Sequence, residues 1–312
     1  MPAPFVRFPD HCRAGASYTV SVRLRRNGRS LIKLFASDLD GTLFNILHET
    51  DGGILRRLRR TIEAGRHVAL ASGRCVRRTA DLGFGDLPIE SVGANGAHVV
   101  GRGGEVLRHV TIDPAVIEEL LTGFPAVCFN CVGRDHTYVR GTREQHASGY
   151  LMPRGLAGVI LRYRMSRAVR TDEERFDCGD ADVLAQDICK LNFRVPDPGM
   201  RREMEAFVAE HADMVVNASF DGDLFELTDA RVNKGEAVAW LAGELGLSED
   251  EVAVYGDGGN DLAMLERFDH AYATSNGSDA AKRAAGNVIG SCALHAVPRH
   301  IVRTVRREGP LR

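Results

Sequence analysis

Hydrophobic and polar positions change period repeatedly along residues 31–112. Leu31-Ile32-Lys33-Leu34-Phe35-Ala36 and Val68-Ala69-Leu70 are short apolar runs of strand length, and Val252-Ala253-Val254-Tyr255 repeats the form far downstream. Between the first two, Ile54, Leu55, Leu58 and Ile62 recur at helical spacing until Gly65 closes the run, and a further helix is expected over 76–82. Strands alternating with helices predict an α/β fold built on a doubly wound, Rossmann-like parallel sheet. From about Asp113 the pattern shifts. A helix carrying Val116, Ile117, Leu120 and Leu121 leads into strand candidates at 126–132, 136–140 and 188–195; a helix over 204–211 then precedes strand-like 214–218 and 224–228. Strands in hairpin-like pairs with segregated helices read as a separate α+β module.

The strand ends carry the chemistry. The first run delivers Asp38 and Asp40, two residues apart, into a Gly41-Thr42 turn, and at strand spacing both carboxylates can converge on one point. Two acids so placed either cap the next helix or meet a cation or a reaction that needs them. The run ending at Tyr255 opens a second acidic turn, Gly256-Asp257-Gly258-Gly259-Asn260-Asp261. In an open parallel sheet ligands sit beyond the carboxyl ends of the strands, so distant acidic turns can share one site. Carboxylate oxygens there suit Mg²⁺. Ala71-Ser72-Gly73-Arg74 offers a hydroxyl and backbone N–H groups to an anion after the Val68 strand. Lys234, in Asn233-Lys234-Gly235-Glu236, opens an apolar-periodic helix where the macrodipole disfavours a cation; it faces either a bound anion or solvent.

These four stretches, in this order, resemble the haloacid dehalogenase (HAD) superfamily of phosphohydrolases. The long insert, the Asn95-Gly96-Ala97 turn and the 256–261 turn make the chain most similar to the Cof-type, class IIB members, over roughly residues 31–312. The resemblance implies a catalytic core of 31–112 and 229–312 with an α+β cap domain, 113–228, inserted for substrate specificity. It implies a Mg²⁺-dependent phosphatase acting on a phosphorylated small metabolite, such as a sugar phosphate, through an aspartyl-phosphate. Asp38 would then be the nucleophile and Asp40 the general acid and base. Mg²⁺ would lie on Asp38, the backbone carbonyl of Asp40 and Asp257, with Asp261 assisting. Ser72, Lys234 and backbone groups of Leu39 and Gly41 would hold the phosphoryl oxygens, with Thr42, Gly73, Asn95, Lys190 and Asn260 as further phosphate or substrate contacts. Asn276 resembles a position in a loop after a late core strand, and Arg74 matches the serine turn. Arg134, His136, Arg140, Arg143 and Asn192 are the other polar candidates in the insert. Two alternatives stay open: a phosphotransferase or mutase using the same aspartyl-phosphate, and a non-catalytic phosphometabolite-binding protein.

A chain of 312 residues with 44% hydrophobic content can fill two cores, and a net charge of −2 offers no global basic field for nucleic acid. No apolar run reaches the length of a membrane span and no signal-peptide core opens the chain, so a cytoplasmic protein, monomeric or dimeric, is expected. Seven cysteines without framework spacing suggest reduced thiols, although Cys128-Phe129-Asn130-Cys131 admits a zinc or redox reading beside two thiols alternating around a strand. Residues 1–30, rich in arginine and broken by Pro2, Pro4 and Pro9, read as a basic, flexible extension in which Val20, Val22 and Leu24 offer one more strand candidate.

Overall fold

A computed structural model describes residues 25–26, 29–149, 174–219 and 222–311. The strand candidate at Val20, Val22 and Leu24 and most of the basic extension lie outside the described residues. Two two-residue strands, β1 (Arg25–Arg26) and β2 (Arg29–Ser30), pair antiparallel ahead of the main sheets.

The first main sheet contains β3 (Leu34–Ser37), β4 (His67–Ala71), β5 (Glu90–Gly93), β6 (His98–Val100) and β7 (Val106–His109). The second contains β8 (Phe129–Val132), β9 (Thr137–Arg140), β10 (Glu174–Arg175), β11 (Lys190–Arg194), β12 (Val215–Asn217) and β13 (Leu224–Asp229). The chain then returns to the first sheet with β14 (Val252–Gly256) and β15 (His270–Ala273). The first sheet runs β15-β14-β3-β4-β5-β6-β7, parallel from β15 to β5 and antiparallel beyond. The fold is therefore α/β with a parallel-sheet core, as the alternation predicts.

Burial on both faces explains why β3 is an unbroken apolar run. Leu34 and Ala36 pack with Val238, Leu241 and Met264 on one side, whereas Phe35 packs with Ile54, Leu58 and Ile301 on the other. The helices that cover these faces are α1 (Gly52–Glu63), α4 (Lys234–Glu244), α5 (Leu262–Arg267) and α7 (Ala296–Glu308); α2 (Pro114–Gly123) and α3 (Pro198–Glu210) cover the second sheet, and α6 (Asp279–Ala285) follows β15. Asp51 caps α1 by accepting from the N–H groups of Gly53 and Ile54, and Gly65, at φ +83°, carries the chain away from it. Asn233 caps α4 through the N–H of Glu236.

The helix expected over 76–82 does not form. Only a short 3₁₀ turn, Thr79–Leu82, is present, because Cys75 and Val76 turn inward to pack in two separate cores and no helical stripe remains. In the second sheet the period-two pattern is clean: Leu191 and Phe193 enter the core under α2 and α3, so Lys190, Asn192 and Arg194 stand on the opposite face. That face looks toward the first sheet, where Lys190 Nζ donates to the carbonyl of Gly73 at 2.7 Å and Arg77 donates to that of Gly133, also at 2.7 Å.

Candidate active site

Three parallel strands, β14, β3 and β4, lie side by side and end together, so the residues that follow them meet. Asp38 follows β3, Ser72 follows β4 and Asp257 follows β14. Asp38 and Asp40, both at this strand end, are held by different partners. Strand geometry stops at Asp38, where the chain enters a tight turn with Gly41 at φ +81°, and the two carboxylates take different partners.

Asp38 is buried and accepts from Lys234 Nζ at 2.7 Å. The same ammonium donates to Asp261 Oδ1 at 2.7 Å, so Lys234 lies fully buried between two acids rather than in solvent. Asp261 uses its second oxygen on the N–H groups of Asp257 and Gly258, at 2.8 and 2.9 Å, which fixes the acidic turn. Asp257 is positioned by Thr42, whose hydroxyl donates to Oδ1 at 2.6 Å. A Cβ on Gly41 would stand 2.3 Å from Asp257 Oδ2, so a glycine is required both by backbone and by space.

The electrostatics follow from three carboxylates sharing one ammonium. Burial pushes Asp38 up to about 8 against the pull of Lys234, and Asp261 and Asp257 add to the rise. Asp257 is raised as well, by burial first, with the Thr42 hydrogen bond acting the other way. Burial opposes the charge on Lys234, but Asp261 and Asp38 outweigh it and hold the ammonium protonated. Ligand oxygens of Asp38, Asp257 and Asp261 lie within 4.8 Å of one another. An oxygen-only, partly buried donor set with excess negative charge fits a hard divalent cation such as Mg²⁺. Among the described residues no other group of three potential ligands is this close, and the described cysteines, Cys128 and Cys131 included, are free thiols.

Asp40 sits at the mouth. Arg74 grips it with two bonds, Nε to Oδ2 at 2.9 Å and Nη2 to Oδ1 at 2.7 Å, and His48 Nδ1 lies 2.9 Å from Oδ1. Arg74 is thus tied to the site, although no helix starts there. Ser72 is buried, and its Oγ accepts from the Arg74 N–H at 3.1 Å. Leu39 buries its side chain in the core, leaving only its backbone toward the turn. Asn276 donates to the Gly41 carbonyl at 2.7 Å and so pins the turn from the far side.

A polar chain then runs between the sheets. Lys190 Nζ bonds Gly73 O and lies 3.0 Å from Glu226 Oε1; Glu226 Oε2 accepts from Asn95 at 3.1 Å; and Asn95 Oδ1 accepts from Asn260 at 3.1 Å. Asn95 holds φ +56° in the turn after β5, a conformation that asparagine tolerates better than most residues. Glu226 and His48 are the participants missed from sequence. For Glu226 the available signal was an acid flanked by Phe225 and Leu227 at period-two spacing in a strand; for His48 there was none. Other polar candidates of the insert have structural roles: Arg140 bonds Asp180 at 2.9 Å, and Arg143 stacks over Phe176 at 4.2 Å. The carbonyl of Arg134 accepts from Arg77, and His136 lies edge-on to Tyr138.

Between the sheets a cavity of about 560 Å³ opens over Gly73 and Arg74, lined on the other side by Asn130, Lys190, Asn192 and Glu226. No helix among the described residues is long and apolar enough to cross a membrane.

Comparison with known proteins agrees with this arrangement. The chain is 26% identical over 239 residues to an HMP-PP phosphatase of Citrobacter koseri, covering 76% of this chain and 81% of that protein. It is 26% identical over 280 residues to phosphatase YwpJ of Bacillus subtilis, covering 82% and 94%. A solved haloacid dehalogenase-like hydrolase from B. subtilis superposes with a TM-score of 0.75 at 22% identity, covering 86% of this chain and 99% of that one. Residues 35–301 match the family of haloacid dehalogenase-like hydrolases. With the acidic turns, the lysine and the fold all in place, the chain belongs to that family and is a hydrolase of the phosphatase kind.

Proposed function

We propose that the protein hydrolyses phosphate monoesters of small metabolites through an aspartyl-phosphate on Asp38, with a divalent cation in the acidic cluster. The observation that carries this reading is the buried Asp38–Lys234 contact at 2.7 Å beside Asp257 and Asp261, with Asp40 held apart from it.

A bound Mg²⁺, held by the carboxylates of Asp38 and Asp257 and by the carbonyl of Asp40, would neutralise charge on the phosphoryl oxygens and keep Asp38 ionised. Asp261, with one oxygen on Lys234 and the other on the turn, would assist the other two carboxylates in holding the ion. Lys234 and the Ser72 hydroxyl would serve the phosphoryl oxygens, together with backbone N–H groups of Leu39 and Gly41. Asp38 attacks phosphorus and the ester P–O bond breaks, while the departing alkoxide takes its proton from the Asp40 carboxyl. Water then attacks the phosphorus and gives a proton back to Asp40. The P–O bond to Asp38 breaks and inorganic phosphate leaves.

The two acids divide this work through their surroundings. Asp38 is sealed in against the ammonium; Asp40 is partly exposed at the mouth, where it can exchange a proton once Arg74 loosens its grip. Residues 113–228 act as the cap, closing the site through Lys190 and Glu226 and excluding water.

Phosphate release from a panel of monoesters with Mg²⁺, measured for the unmodified protein and Asp38→Asn, tests the assignment. Release is expected to fall by at least about 10⁴-fold in the variant. Undiminished release would remove Asp38 as nucleophile, and an isomerised ester in place of free phosphate would show capture by a hydroxyl instead of water.

A further inference from the structure

The chain's net charge of −2 conceals an uneven distribution. Helices α1 and α7 pack side by side on one face of the first sheet, and between them they carry eight arginines against two glutamates. Arg56, Arg59 and Arg60 on α1 are exposed, as are Arg299, Arg303, Arg306 and Arg307 on α7. Arg59 pairs with Asp86 at 2.9 Å, and Arg307 lies 3.7 Å from Glu308, which also accepts from the Ile32 N–H. Among the described residues no acid pairs with Arg56, Arg60, Arg299, Arg303 or Arg306. Residues 1–24 and 150–173 are themselves basic in sequence, with Asp10 against three arginines and Asp172 and Glu173 against five, so neither stretch supplies an excess of acid to this face. Arg299, Arg303 and Arg306 recur at i, i+4 and i+7, a line about 10 Å long at 1.5 Å per residue. Arg56 and Arg60 form a shorter row on α1, and packed helix axes lie about 8–10 Å apart.

We propose that α1 and α7 form a docking surface for the phosphate backbone of a double-stranded nucleic acid. A duplex presents one negative charge per about 1.7 Å of its axis, so a row of this length meets several phosphates, and guanidinium groups match phosphate oxygens. Other partners fit this face less well. A helix lying in a membrane surface buries its apolar side there, whereas Ile54 and Leu58 of α1 and Val297 and Ile301 of α7 spend that side on the sheet. A protein interface is built around an apolar, aromatic-rich centre, and neither helix exposes a large apolar side chain. Single-stranded bases stack on aromatic rings, and neither helix contains Phe, Tyr or Trp. What remains is a dense, regular polyanion held by charge alone, read without regard to base sequence.

Fluorescence anisotropy of the full chain with labelled 16-base-pair duplexes, one of DNA and one of RNA, tests this across 50–200 mM KCl. Binding of at least one duplex is expected with a Kd of micromolar order at 50 mM, and log K should fall against log salt with a slope of about −3 to −4.5. The ratio of the two affinities tells which duplex geometry the face prefers. R303E/R306E is expected to weaken binding at least about tenfold and to reduce the slope by about two, with thermal unfolding and phosphate release unchanged. R202E/R283E, the same change of net charge on exposed residues of α3 and α6, is expected to bind as the unmodified protein does. Absence of binding at 50 mM, equal weakening in both double variants, or full binding by R303E/R306E overturns the proposal. Phosphatidylserine vesicles or polyglutamate bound more tightly than either duplex would overturn it in favour of a membrane or an acidic protein.

Discussion

Lys190 on β11 places its Nζ 3.0 Å from Oε1 of Glu226 on β13, and both residues bond onward to the first sheet, Lys190 to the Gly73 carbonyl and Glu226 to the Asn95 amide. Burial presses the lysine toward its neutral form, and Glu226 restores part of its proton affinity. Removing the acid strands a buried ammonium, which costs up to about 3–5 kcal/mol for a sealed pair and less here because Glu226 is partly exposed. Glu226→Ala is therefore expected to lower the unfolding temperature and kcat together. The double change K190M/E226Q should recover stability but not kcat, since Gly73 loses its donor. Thermal unfolding beside steady-state kinetics checks this; recovery of both would reduce the pair to a structural contact.

Gly41 is a second point where one atom matters. At φ +81°, with its would-be Cβ 2.3 Å from Asp257 Oδ2, Gly41→Ala must strain the turn and displace the carboxylate. About 1–3 kcal/mol of stability and a hundredfold or more in phosphate release are expected to go. Titrating release against Mg²⁺ would show a weakened metal response, and an unchanged one would mean that Asp257 does not hold the cation.

Chelation should abolish phosphate release, and added Mg²⁺ should restore it. Because a cation bound only by the folded state stabilises that state by mass action, Mg²⁺ at a hundredfold excess over its dissociation constant is expected to add about 2.7 kcal/mol. Asp257→Asn should lose most of both responses. Calorimetric unfolding with and without Mg²⁺ is the measurement, and stabilisation that survives in D257N would place the ion elsewhere.

His98 supplies a pH signature. His109 Nε2 lies 2.8 Å from the Asp187 carbonyl and donates to it, and its Nδ1 lies 2.9 Å from His98 Nδ1. His98 Nε2 is buried and has no hydrogen-bond partner among the described residues. Burial, then His109 and the nearby Arg77 and Arg134, push His98 down to about 3. The unfolded ring titrates near 6.5, so between pH 6.5 and about 3 the unfolded chain binds one more proton than the folded one. Stability should thus be retained above pH 6.5 and fall on acidification by about 1.4 kcal/mol per unit from this residue. His98→Phe should flatten that share of the slope in urea unfolding at pH 7, 6 and 5; an identical slope would rule the ring out.

Local order along the chain sufficed for the alternation of strands and helices, the strand-end turns and the lysine at the head of α4, because burial period and turn chemistry are properties of neighbouring residues. Four short motifs in a characteristic order were enough to bring Asp38, Ser72, Lys234 and Asp257 into consideration together. Only the tertiary structure decided where side chains point once the chain leaves regular geometry. Asp38 and Asp40 take different partners because the chain leaves strand geometry between them, and residues 76–82 fail to make a helix because Cys75 and Val76 are drawn into separate cores. Glu226 enters the site, and Asn130 and Asn192 come to share a cavity wall, through pairing between strands distant in sequence. Such partnerships depend on register and on how one sheet lies over another, and no local pattern encodes them.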